Sequence, residues 1–167
     1  TRKRRAGGLP RIGPADIFGT MASPNRSSTL DAPPVEASGR RGRLAVALQE
    51  PFTTVARLRS NKQVASDAES FRTRIKQVLS SAEQEARTLG YASEDVRFAL
   101  FAVIAFLDET VLNSGQAMFA QWSSRTLQEE VFGVHMAGEL FFQYLEQLLA
   151  RQDSPDLADI LEVFSLC

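Results

Sequence analysis

Ten consecutive residues, Phe98 to Leu107, carry no polar side chain, and they sit inside FALFAVIAFLDETVLNS, residues 98–114. A helix that is apolar on every side has to be enclosed on every side. Ten residues are too few to cross a bilayer, which takes about 20. The rest of the chain must therefore supply neighbours for this segment, and a helical bundle built around it is the simplest answer. Two carboxylates, Asp108 and Glu109, then arrive side by side before Val111 and Leu112 resume the apolar pattern. Consecutive helical residues point about 100° apart, so the two acids do not share a face. An unpaired charge in so apolar a setting costs on the order of several kcal/mol. At least one of them must reach a salt bridge, cap another helix, or line a groove that receives a basic or amide-bearing partner.

The sequence after residue 43 reads as helix throughout, with no competing alternation of period two. Leu44, Leu48, Phe52, Val55 and Leu58 predict a first helix over 44–60, which Pro51 must either kink or restart. Ser66-Asp67-Ala68-Glu69 is a capping-box pattern opening a second helix with Phe71, Ile75, Val78, Ala82, Ala86 and Leu89 inward and Gly90 at its end. Ser93 is the expected cap of the third helix, with Glu94 and Asp95 in its first turn, running to Asn113. A short helix should follow Trp122 and stop at Gly133, and another should span 137–150. Ser154-Pro155-Asp156 opens a last one. The expected fold is all-α, with about six to eight helices.

Charge divides the chain in two. Residues 1–43 hold nine Lys/Arg against three Asp/Glu, and eleven of the seventeen Gly and Pro residues. Such a segment cannot bury enough apolar surface to offset its ordering entropy, so it reads as a flexible basic tail before a domain at 44–167. RKRR at 2–5 has the composition of a nucleic-acid or anionic-lipid contact but reads here as a solvated tail. Residues 44–167 hold ten basic against seventeen acidic residues, a balance that repels nucleic acid and attracts basic protein surfaces.

Little in the sequence points to chemistry. The single His135 lies between glycines in an expected turn, and the single Cys167 is far from it. No clustered metal ligands, cofactor-cradling loop or paired Glu and His at helical spacing occur. A catalytic, metal or cofactor site is not expected, and an enzyme reading has little support. A soluble all-α ligand-binding or regulatory adaptor, with the aromatics of 98–106 and 141–144 lining a cavity, is one reading of such a chain.

Four pieces in order, GYASEDVRFALFAVIAFLDETVLNS, Trp122 before LQEEVFG, AGELFFQYLEQLLA and DLADILEVFSLC, resemble the cytoplasmic domain of the DotU/TssL (IcmH) family of type VI secretion systems. The resemblance covers about 44–167. It departs where the family has a Thr-Pro-Trp-Gly-like turn and this chain reads Ser114-Gly115-Gln116-Ala117. It implies two small helical bundles in a hook-like arrangement and a scaffold on the cytoplasmic side of the bacterial inner membrane. The implied partners are a TssM/IcmF-like inner-membrane subunit, baseplate proteins and a second copy of itself. It also implies a groove near Asp108 and Glu109, with Glu129 and Glu130 of LQEEVFG as further groove candidates. The chain begins at Thr1 and its last apolar run reaches Cys167 without a stop signal. It is therefore expected to belong to a longer protein, and the resemblance implies a C-terminal transmembrane helix beyond Cys167.

Overall fold

The computed structural model describes residues 42–62, 64–135 and 137–167, so the expected flexible tail, apart from its last two residues, lies outside the described residues. The elements are α1 (Arg43–Ala47), α2 (Gln49–Arg59), α3 (Ala68–Thr88), α4 (Ser93–Asn113), two 3-10 turns (Ala117–Phe119 and Trp122–Ser124), α5 (Leu127–Phe132), α6 (Ala137–Leu149) and α7 (Pro155–Leu166). The all-α expectation holds, with seven α-helices among the described residues.

The apolar run became the axis of the fold. In α4, Val96, Phe98 to Ile104, Leu107 and Val111 are all buried. Helices α2 and α3 pack on α4 from the first half of the chain, and α5, α6 and α7 from the second. The shortest helix, α1, bridges the two groups by packing on both α3 and α7. Two helical groups thus share one buried helix. Among the described residues no helix is long and apolar enough to cross a membrane.

Three local readings need correction. The helix expected over 44–60 is two helices, broken at Leu48 (φ −93°, ψ 10°). Pro51 has no N–H for the carbonyl of Ala47 and its ring collides with that carbonyl, so the helix restarts and Pro51 occupies the first turn of α2. The cap of α3 is Asp67, one residue beyond Ser66. Its Oδ1 accepts from the Ser70 N–H at 2.8 Å while the Ser66 hydroxyl donates to its Oδ2. Glu69 then falls one position too early to complete the box, and its Oε1 lies 3.7 Å from Arg72 Nε. Ser93 is the first residue of α4 and makes no capping bond, the cap position being Ala92. The other ends follow the sequence. Ser154 caps α7 through the Leu157 N–H with Pro155 behind it, and Gly133 ends α5 at φ 66°.

Candidate functional site

The adjacent carboxylates part company as helical geometry requires. Asp108 points inward and is 1% exposed. Its Oδ1 accepts from the Trp122 indole N–H at 2.7 Å and the Leu127 N–H at 3.0 Å, and its Oδ2 accepts from the Gln128 N–H at 2.8 Å. The Thr126 hydroxyl accepts from the Glu129 N–H. Together they satisfy the free N–H groups that open α5. Burial pushes the Asp108 carboxyl above its ordinary pKa, opposed by these three donors and by the Arg72 charge.

Arg72 completes this cluster from the other side. Its guanidinium lies over the Trp122 ring at 4.1 Å, donates to the Arg125 carbonyl at 2.7 Å and reaches Glu130 Oε2 at 3.2 Å. Phe71 and Phe119 hold the indole edge-on. Sequence reasoning noticed Trp122 as a motif residue without assigning it a role. Arg72 carried no signal, because apart from the exposed Glu69 at 3.7 Å its partners Trp122, Arg125 and Glu130 lie far downstream in the sequence.

Glu109 faces outward. It lines an open groove of about 630 Å3 with Phe106, Leu112 and Asn113 of α4, Gln128 of α5, Phe141 and Phe142 of α6, Phe164 of α7 and Cys167. A second recess of about 570 Å3, reaching Leu58, Arg59 and Asn61, shares Phe106, Glu109, Asn113 and Cys167 with the first, so the two form one trough. Phe142 is 65% exposed and Leu112 46%, an unusual apolar display beside a free carboxylate. Burial pushes the Cys167 thiol up to about 12.

The four candidate acids do not form one cluster. Asp108 and Glu109 border the groove, but Glu129 and Glu130 are not among its lining residues. Glu129 lies 3.6 Å from the exposed His135. Glu130 faces α3, from which Lys76 reaches its Oε1 at 2.5 Å, and Arg125, just ahead of α5, reaches the same oxygen at 3.3 Å. Burial would raise its pKa, but the Lys76 bond and the charges of Lys76, Arg125 and Arg72 hold it below the ordinary value. The aromatics of 98–106 and 141–144 divide: Tyr144 packs edge-on against Phe98 at 5.2 Å and Phe101 at 4.8 Å, whereas Phe106, Phe141 and Phe142 line the groove. Among the described residues no group of three Cys, His, Asp or Glu is placed to hold a metal ion.

Residues 43–167 match the family described as "Type VI secretion system protein DotU". Among solved structures, the chain is similar to the crystal structure of the type VI secretion protein SciP/TssL from enteroaggregative Escherichia coli 042. The two are 28% identical, with 74% of this chain and 73% of that chain covered and a TM-score of 0.61. A comparison with curated proteins returns no match.

Proposed function

Because this chain belongs to the DotU family of type VI secretion system proteins, we propose that it is a structural scaffold subunit that links the inner-membrane core of the apparatus to its cytoplasmic baseplate. The trough supports this reading: among the described residues Glu109 stands free, beside exposed Phe142 and Leu112 in an open groove between the two helical groups. Apolar anchors next to one charge suit a protein partner that brings its own apolar residue and a basic or amide group. In this reading the baseplate docks in the trough, while a TssM/IcmF-like subunit and a second copy of the chain make contacts elsewhere. A single-pass anchor holds the domain at the cytoplasmic face of the inner membrane. The role requires binding surfaces and assigns the chain no reaction.

The test pairs Glu109→Lys with Phe142→Ser and measures capture of the baseplate proteins together with thermal unfolding. Both side chains are exposed, so unfolding should move little. Capture should fall sharply in each variant. A well-folded double variant that captures the baseplate as wild type does would sink the groove reading.

A further inference from the structure

Residues 42–167 carry seventeen Asp and Glu against eleven Lys and Arg, yet three of those cations converge at one place. Lys76 and Arg125 both contact Oε1 of Glu130 and Arg72 contacts Oε2. They border an open recess of about 560 Å3 between α3 and the start of α5. It shares no lining residue with the Glu109 trough. Glu130 and the exposed Glu69 border the recess with them, and buried Asp108 also feels the Arg72 charge, so the positive charge still open to a ligand lies at the rim, where Lys76 and Arg125 share one Glu130 oxygen.

We propose that this recess receives a single carboxylate side chain from a segment of a partner protein, as a contact separate from the trough. The floor is fixed in advance. Arg72 is 7% exposed, stacked on Trp122 and tied to the Arg125 carbonyl, so its charge cannot turn away. The rim is available: the Lys76 and Arg125 side chains are 38% and 59% exposed. An ammonium has three N–H donors and a guanidinium five, more than Glu130 engages. Both rim nitrogens approach the same Glu130 oxygen, so a second carboxylate on their outer side meets both at once. Thr73, Gln77 and Ser80 lie along the same face of α3 at spacings of three and four, adding hydroxyl and amide donors along the wall. The occupant follows from the charge pattern. An extended polyanion such as a membrane surface or nucleic acid would meet the acidic remainder of the domain and be repelled, whereas one carboxylate on a protein segment meets only the recess.

The test uses the whole 167-residue chain, isotope-labelled, with a short peptide carrying one glutamate among neutral residues as the probe and backbone amide NMR as the readout. Saturable shift changes are expected at Thr73, Gln77, Ser80 and Ser81. Lys76→Gln with Arg125→Gln should weaken binding about tenfold or more, since two charge-assisted hydrogen bonds are lost. Arg57→Gln with Lys62→Gln, the same change in net charge at exposed positions elsewhere, should leave the affinity as it was. The proposal is overturned if the shifts are confined to residues 1–41, if the Lys76 and Arg125 variant binds as wild type does, or if the control pair loses as much. Inorganic phosphate producing the same shifts at equal affinity would overturn the assignment to a carboxylate-bearing segment.

Discussion

Replacing Asp108 by alanine should unfold this domain far more readily, and the size of the effect can be worked from its three hydrogen bonds. The substitution leaves the Trp122 indole N–H and the Leu127 N–H buried without an acceptor, while the half-buried Gln128 N–H can turn to water. Each buried donor left unmet costs about 1–3 kcal/mol. Removing the desolvated charge returns part of that, because burial works against the ionised carboxyl. The net loss should be about 3–5 kcal/mol, the range for breaking a buried ionic network by deleting one member. For a domain of this size that is a fall of roughly 10–20 °C in midpoint. Asp108→Asn keeps the shape and one accepting oxygen but sets an NH2 group against an N–H, so it should cost about 1–3 kcal/mol. Glu109→Ala, one residue on, should stay within about 0.5 kcal/mol of wild type. Thermal and urea unfolding followed by circular dichroism measure all three. An Asp108→Ala loss under about 1 kcal/mol would refute the capping argument, as would a variant order in which asparagine is worse than alanine.

Three further outcomes are expected. Tyr91→Phe removes the hydroxyl that donates to buried Asp159 at 2.5 Å, leaving that carboxylate the Gly42 N–H; urea unfolding should show a loss of about 1–3 kcal/mol, and no loss would show that the bond contributes nothing. The Asp67 carboxyl, held down to about 2 by the Ser70 N–H and the Ser70 and Ser66 hydroxyls, has a folded pKa below its ordinary 3.8. Its cap is therefore fully present above 3.8 and lost as pH falls through about 2, and a carboxyl NMR titration with a midpoint near 3.8 would contradict this. The Cys167 thiol, pushed up to about 12, should alkylate far more slowly at pH 8 in the folded protein than in urea, and equal rates would show that the groove leaves it open.

Most helix ends were legible because they depend on neighbours in sequence. Ser154-Pro155-Asp156 and Gly133 name their own positions, since a cap, a fixed φ and a left-handed glycine act over three or four residues. The misplacements at Ser66 and Ser93 are single-residue slips within the same local chemistry. The break at Leu48 was half legible, because Pro51 announces a disruption but not whether the helix bends or restarts. The site was legible only to the point of two alternatives. The angular separation of Asp108 and Glu109 follows from sequence alone, but the donors waiting for Asp108 lie 14, 19 and 20 positions downstream. Glu130 was a groove candidate only through the family resemblance; besides the nearby Arg125, two of its cations come from a helix 54 and 58 positions earlier. No local rule pairs residues across that span; packing around α4 does.

The same packing gives Asp108 a wider role than its single side chain implies. It grips Leu127 and Gln128 at the head of α5 and holds Trp122 by its indole. Gln128 lines the trough, and Arg125, just before α5, lines the basic recess. Arg72 forms the floor of that recess and rests on the face of the same indole. One buried carboxylate therefore sets the position of a wall of each surface. A change at Asp108 that weakens partner binding says nothing about which surface was used, because both lose their support together. Glu109 and Phe142 report on the trough alone, and Lys76 and Arg125 on the recess alone, since those side chains lie at the rims and leave the Asp108 network untouched. The adjacent acids of the apolar helix divide the work by direction: one turns inward to hold the frame, and the other turns outward where a partner can reach it.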